Sequence, residues 1–344
     1  MESPGTTVRP RAGAPTIRQV AALAGVSRAT ASRVINGGHL VSEEARLAVE
    51  AAIAELNFTP NPVARSLATR RTGSVALIVP EPNRRLLTDP FFAGIVDGLS
   101  MALEDQDLQM VLLIARNAAS ARKAAQYAIT GHVDGAVVAS HHRDDGLNRA
   151  LVASGLPTVF IGRPLDVTAA HYVDTDNTGG ARLATEHLIA RGCRRIGTIA
   201  GPSDMTAGLD RLLGWRAALA AAGLPDDAVE YGDFTARSGA EAMGRLLDRS
   251  PDLDAVFVAN DLMASGVLLQ LSGRGLSVPG DVAVFGFDDI GVAESTDPPL
   301  STVVQPLIEM ASRAGTLLAG LLRGEDTPEQ PVLFTPRLVL RESA

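Results

Sequence analysis

Residues 133–139, VDGAVVA, and residues 253–259, LDAVFVA, are near copies of one another. Each is a short apolar run of the kind that forms a strand buried on both faces of a sheet. Around the first copy stand SVALIVPEP, FFAGIVDGLSMALEDQD, QMVLLIA and LPTVFIG; around the second stand RRIGTIAGPSD, RLLGWRAALAAAG, VEYGDF and DVAVFGFDD. The order strand, helix, strand, helix, strand therefore occurs twice from Gly73 onward. Such alternation builds parallel sheets with helices on both faces, and its repetition predicts two related α/β lobes.

What precedes Gly73 is different in kind. The 344-residue chain carries a net charge of −8, yet residues 1–75 hold nine arginines against five glutamates, a net of +4. The remainder must then carry −12. A small basic head on a large acidic body predicts that only the head meets a polyanion. No run of apolar residues approaches the ~20 needed to cross a membrane, and no secretory leader is visible near the N-terminus. Cys193 is the single cysteine, which excludes an intramolecular disulfide, fits a reducing cytoplasm and reads as a packing residue.

Residues 1–15, rich in Pro, Gly and Thr, read as a disordered arm. A first helix is capped by Thr16, with Gln19 at capping-box spacing, and ends at Gly25. Ser27 caps a second helix running to about Asn36, so only a three- or four-residue turn separates the two. That is helix-turn-helix geometry, in which the second helix enters the DNA major groove. Ala31, Val34 and Ile35 are spaced to pack against Val20 and Leu23, which leaves Arg28, Ala29, Thr30, Ser32 and Arg33 facing outward. Arginine pairs with guanine, while Thr and Ser reach bases or phosphates. A third helix follows the Ser42 cap, with Leu47, Ala51 and Ala54 as its stripe. Asn61 and Pro62 then open a segment of about two turns, too short to be stable by itself.

The motifs VAALAGVS, TASRVIN, VSEEAR and LNFTPNPVARSL occur in one order over some sixty residues and run straight into a strand. This arrangement closely resembles the head of the lactose-repressor (LacI/GalR) family of bacterial transcription regulators. The resemblance continues through the body to STVVQPL and PRLVLRES. It implies a small all-α helix-turn-helix head (16–60), a hinge helix and linker (61–72), and an α/β two-lobed periplasmic-binding-protein-like body (73–344). The first lobe would span about 73–174 and 306–333, the second about 175–305 and 334–344. By the same resemblance, Thr16, Ser27, Arg28, Ala29, Thr30, Ser32, Arg33 and Asn36 face DNA. Asn61, Ala64, Leu67 and Ala68 belong to the hinge helix, where Leu67 stands at the position of a minor-groove wedge. Ala29 departs from the polar residue often seen at its position.

Ligands of open α/β sheets bind beyond the carboxyl ends of the strands. Ser140, His141 and His142 end one strand, Asn260 and Asp261 a second, Asp288 and Asp289 a third. Asp and Asn in such places also serve as helix caps, and no third group stands at metal spacing, so no metal or cofactor is expected. The resemblance assigns effector contacts to Asp89, Phe91, Phe92, Ser140, His141, Arg211, Phe234, Asn260, Asp288 and Gln305. Trp215 is read as core because it shares a helix with Arg211. Carboxylate, amide and guanidinium groups between aromatic walls suit a neutral polyhydroxylated ligand. VPEPNRRLLTDPFF and AGPSDMTAGLDRLLGW are most similar to the actinobacterial cellobiose-regulator branch, which implies a di- or oligosaccharide.

The chain is thus expected to be a homodimeric repressor that binds an inverted-repeat operator and answers to a sugar in its cleft, with dimer contacts near residues 75–130. A purine- or nucleoside-responsive regulator of the same fold is the first alternative. A sugar-acting enzyme is the second, although Asp288 and Asp289 are adjacent rather than placed as a glycosidase pair, and no phosphate loop or nucleophile elbow follows a strand. An exported binding protein would have no use for the head.

Overall fold

A computed structural model describes residues 15–35, 41–58, 71–143, 146–168, 171–326 and 330–344. They form two compact units that divide in sequence between Thr72 and Gly73.

The first unit holds helices Ile17–Leu23, Arg28–Ile35 and Glu43–Leu56. The Gln19 side chain accepts the Thr16 N–H at 2.8 Å, which satisfies one of the orphan donors at the helix start. Gly25 sits at φ +65°, a left-handed conformation that glycine reaches without strain. The Ser27 hydroxyl accepts the Thr30 N–H at 3.0 Å and the Ser42 hydroxyl accepts that of Ala45 at 3.4 Å, so both serines cap. The core joins Val20, Ala21, Ala31, Val49 and Ala52.

Two expectations for this unit are corrected. Leu23 is 46 % exposed and Leu47 is 55 % exposed, and Ala51 and Ala54 also face solvent. The buried stripe of the third helix is Val49, Ala52, Ile53 and Leu56. Both sets satisfy helical periodicity, but the buried one removes more apolar area from water. On the first helix Ile17, Val20, Ala21 and Ala24 form the inward face, which turns Leu23 outward.

The second unit contains β1 (Ser74–Val79), β2 (Gln109–Ile114), β3 (Gly135–Ala139), β4 (Thr158–Ile161), β5 (His171–Thr175), β6 (Ile196–Ala200), β7 (Val229–Tyr231), β8 (Ala255–Val258), β9 (Ala283–Phe285), β10 (Thr302–Val304), β11 (Val332–Phe334) and β12 (Arg337–Val339). One sheet has the order β11-β5-β4-β3-β1-β2 and the other β7-β6-β8-β9, both parallel throughout; β10 and β12 form an antiparallel pair. The near-copies of the sequence thus fall on β3 and β8, which hold equivalent places in the two sheets. In each lobe the strand order reverses beside that strand, between β1 and β3 and between β6 and β8. Such reversals open a crevice at the carboxyl ends.

Each sheet is buried on both faces, and the side chains alternate accordingly. Val75, Leu77 and Val79 of β1 pack with Ile95, Leu99 and Met310, while Ala76 and Ile78 pack with Ala121, Leu147 and Leu151. In the second lobe Val256 and Val258 meet Met243 and Met263, while Ala255 and Phe257 meet Leu188 and Trp215. Trp215 is therefore core. Helices Pro90–Glu104 and Leu307–Arg323 touch so closely that a Cβ on Gly98 would stand 2.2 Å from the Ile308 carbonyl oxygen. Only glycine permits that approach.

Among the described residues the chain passes between lobes three times. It leaves β5 for the helix Asn177–Ala190, leaves β10 for Leu307–Arg323, and leaves β11 for β12. No helix among the described residues is long and apolar enough to cross a membrane.

Candidate functional site

On the Arg28–Ile35 helix Ala31 is buried and Val34 and Ile35 are half-buried, so the opposite side carries Arg28, Ala29 and Arg33 into solvent. Thr30 and Ser32 are half-buried at its edges. The Thr30 hydroxyl lies 2.9 Å from that of Ser27, and the Thr16 hydroxyl donates to Gln19 at 3.0 Å. Thr16, Ser27 and Thr30 thus have local hydrogen bonds alongside any contact with DNA. Asn36, Asn61, Ala64, Leu67 and Ala68 lie outside the described residues.

In the second unit the carboxyl ends of both sheets face an inner cavity of about 620 Å³, its mouth included. Asp89, Phe91, Ser140, His141, Arg211, Phe234, Asn260, Asp288 and Gln305 all line it. Phe92 does not. Neighbours on a helix point about 100° apart, so with Phe91 on the wall Phe92 turns inward, 1 % exposed, and packs with Ile95 and Leu99 in the first-lobe core. His142 misses the inner cavity, and Asp289 turns away to pair with Arg341 at 2.8 Å.

Arg211 organises the deep end. It stands on the helix Thr206–Ala222, 3 % exposed, with its guanidinium carbon 3.6 Å from the Phe287 ring centroid. Its Nε donates to Asn177 at 2.8 Å, Nη1 to the Ala259 carbonyl and to Asp288 at 3.2 Å, and Nη2 to Gln305 at 2.8 Å. Four of its five N–H donors are thereby engaged by protein, which leaves one for a ligand. Burial first of all, together with the nearby Asp89 charge, pushes the Asp288 carboxyl up to about 7 against the pull of Arg211. Burial likewise lifts Asp174 to about 6 despite N–H bonds from Arg163 and Thr175. Carboxyls that titrate near neutrality can donate as well as accept, which suits hydroxyl groups. His141 is driven the other way, to about 4, chiefly by burial, so its ring stays neutral against the Gly162 carbonyl at 3.1 Å.

Backbone strain concentrates here. Among the described residues, Asn57, Asp107, Ser140, Phe234, Asp288 and Asp289 are the non-glycine positions with positive φ, and three of them line the cavity. Such strain persists only where surrounding contacts enforce it. Asn260 does both jobs considered for it: its amide oxygen caps the next helix at the Met263 N–H, and the residue lies on the wall.

The lobes also clasp one another. His142 Nδ1 lies 2.8 Å from Asp204 across the cleft while Nε2 lies 3.2 Å from Glu81. Hydrogen bonding to Glu81, more than burial opposes it, raises the His142 pKa, and Glu81 in turn is held low by His142 and Arg85 in spite of burial. Arg163 Nη2 donates to both Asp210 oxygens at 2.9 Å, and its carbonyl accepts the Thr206 hydroxyl at 2.6 Å.

Sequence reasoning missed Asp174, Asn177, Arg85 and Thr206 on the cavity wall. Asp174 and Asn177 follow the apolar start of HYVDTDN, so the strand-end rule would have found them had that run been read as a strand. Arg85 and Thr206 carry no such signal: Arg85 lies within the short helix Asn83–Thr88 and Thr206 opens the long helix Thr206–Ala222, and neither directly follows a strand.

Two family profiles match the chain: "Bacterial regulatory proteins, lacI family" over residues 16–61 and "Periplasmic binding protein-like domain" over residues 185–344. The chain is 49% identical over 333 residues to the HTH-type transcriptional regulator CelR of Thermobifida fusca, covering 96% of this chain and 98% of that one. It is 35% identical over 331 residues to the HTH-type transcriptional regulator GalR of Escherichia coli K12, covering 95% of each. A solved complex of the transcriptional regulator CelR with cellobiose superposes with a TM-score of 0.78 at 48% identity, covering 96% of this chain and all of that one. The lac repressor dimer bound to operator and the anti-inducer ONPF superposes with a TM-score of 0.84 at 28% identity, covering 96% and 99%.

Proposed function

As the chain belongs to the LacI family of bacterial regulatory proteins, we propose that it is a cytoplasmic, homodimeric repressor of carbohydrate uptake or utilisation genes, governed by a di- or oligosaccharide bound between its lobes. Each head reads half of an inverted repeat, with Arg28, Ala29 and Arg33 presented to the major groove. The first lobe offers the dimer surface: β2 is an edge strand, and Leu112 on it and Met101 nearby in sequence are exposed apolar residues.

The observation that carries the saccharide reading is the inner cavity itself. It combines one remaining Arg211 donor, carboxyls poised between donor and acceptor, the amides of Asn177 and Asn260, and the rings of Phe91 and Phe234. A solved relative holding cellobiose supports the same ligand class. Because the wall draws on both lobes, a ligand favours the arrangement in which they clasp. It changes operator affinity only through its different affinity for the two arrangements.

The test is operator binding by fluorescence anisotropy on the inverted repeat upstream of the gene's own locus. Glucose, maltose, cellobiose, cellotriose, xylobiose and a purine are added in turn. Release by cellobiose or cellotriose alone is the expected result, whereas binding that requires the sugar makes it a corepressor. Response to the purine alone, or to nothing, overturns the saccharide reading and leaves the DNA reading in place.

A further inference from the structure

Beside the inner cavity lies an outer trough of about 2060 Å³, its opening included. Arg85, Asp89 and Phe234 line both spaces. Asp89 is committed to capping a helix through the Phe91 N–H at 3.0 Å, and Phe234 is fixed in strained backbone at φ +65°. Of the three, Arg85 has the long side chain that can divide the spaces, and its surroundings hold it there. Its guanidinium carbon stands 5.9 Å from the Phe92 ring centroid in the first lobe and 5.4 Å from the Phe234 centroid in the second. Nη1 is bonded to Glu81, which is itself buried and also takes the Ser140 hydroxyl at 2.7 Å. The Arg85 Nε is buried with no hydrogen-bond partner, and the nearest Asp89 oxygen is 3.8 Å away.

We propose that Arg85 sets the length of saccharide the cleft accepts, acting as the partition between the inner cavity and the outer trough. This rests on the saccharide reading and deepens it. A short saccharide fits inside the partition and can satisfy the orphaned Nε–H with a hydroxyl, a contact a buried donor rewards. A longer chain must pass the guanidinium. It would lift that cation off the Phe234 ring and away from Glu81, leaving a buried carboxylate without its charge partner. Discrimination by length therefore comes from a penalty against the longer ligand as much as from contacts to the shorter one.

The measurement is calorimetric titration of the full-length protein with glucose, cellobiose, cellotriose and cellotetraose. It compares wild type, Arg85→Ala, Arg85→Lys and Leu87→Ala, the last on the short helix Asn83–Thr88 that also carries Arg85, 81 % exposed and lining neither space. Wild type is expected to bind cellobiose at least about tenfold more tightly than cellotetraose. In Arg85→Ala that ratio should fall to within about threefold, with cellotetraose gaining affinity while cellobiose loses it. Leu87→Ala should keep the wild-type ratio. Arg85→Lys keeps a cation for Glu81 without the planar fork; it should give an intermediate ratio and carries the test if the alanine variant does not fold. Loss of affinity by one common factor for every length in both Arg85 variants would overturn the partition, as would a wild type indifferent to length. A wild type that binds no member of the series would sink the saccharide reading itself, and the partition with it, which is a different result from an unchanged ratio.

Discussion

The two lobes share a strand order but hold their halves of the cleft by different means. The second lobe and its crossover segments supply a buried lattice: Arg211 bonded to Asn177, the Ala259 carbonyl, Asp288 and Gln305. Behind it Asp261 accepts from the Thr302 hydroxyl at 2.6 Å and from the Ile290 N–H at 3.2 Å. The first lobe supplies a lip: Arg85, Glu81 and His142, tied by ion pairs, one of which reaches Asp204 on the far side. A densely bonded buried network is preorganised and costly to disturb, whereas the His142–Asp204 pair that spans the cleft is partly exposed, and such pairs are weak and exchangeable. The lattice is built to stay as it is, and the contacts that cross the cleft are built to let go.

The strongest way to break that contrast is Arg211→Ala. Removing one partner of a buried pair costs about 3–5 kcal/mol, so the melting temperature should fall by on the order of 10 °C and the operator complex should stop answering sugar. A variant that melts like wild type would show that the lattice is no lattice. Pairing it with Asp288→Leu should recover part of the stability and none of the response.

A smaller effect follows from protonation. Asp288 and Asp174 are raised to about 7 and about 6, so the folded chain holds their protons longer than the unfolded chain does. The stability this gives is complete below the ordinary carboxylate range and is lost as pH rises through those two values. The melting temperature should therefore decline between pH 5 and pH 7.5, and Asp288→Asn should flatten the decline by a few degrees, roughly the range 1–2 kcal/mol produces. His142, raised above its ordinary value, acts in the same direction over the upper part of that window, while His141, driven down to about 4 chiefly by burial, acts in the opposite direction below its ordinary value and offsets part of the decline. An equal slope in wild type and Asp288→Asn would mean that the lattice holds its charge after all.

The smallest effect is expected at the clasp. Arg163→Ala removes a cross-lobe pair that is partly exposed. Effector affinity measured by calorimetry should weaken only about two- to fivefold, with a melting temperature within about 2 °C of wild type. A loss as severe as that of Arg211→Ala would erase the distinction between the lattice and the contacts that cross the cleft.

How much of this could be read in advance depended on whether a rule concerned the chain or the space around it. Alternating β and α runs fixed the two sheets, since VDGAVVA and LDAVFVA can bury both faces in no other way. The strand-end rule brought Ser140, Asn260 and Asp288 to one cavity because carboxyl ends of parallel strands converge. Arg211, Gln305 and Phe234 were placed by resemblance, not by pattern. Choices between equivalent helical faces were not legible: Leu47 against Val49, and Phe91 against Phe92, differ only in which side the neighbouring elements cover. Arg85 and the His142–Asp204 contact were invisible for a related reason, since partners 62 residues apart in sequence leave no periodicity.

The three passages of chain between the lobes carry a mechanical consequence. Two bodies joined by one strand can swing, twist and slide; joined by three, they behave more like a door on several pins, with one easy rotation and the other motions stiff. Whatever binds in the cleft is then reported onward as a position on a single dial. Gln305 lies beside one of those pins and is bonded to Arg211 on the cavity wall, so the resting setting of the dial and the shape of that wall are adjusted at the same place.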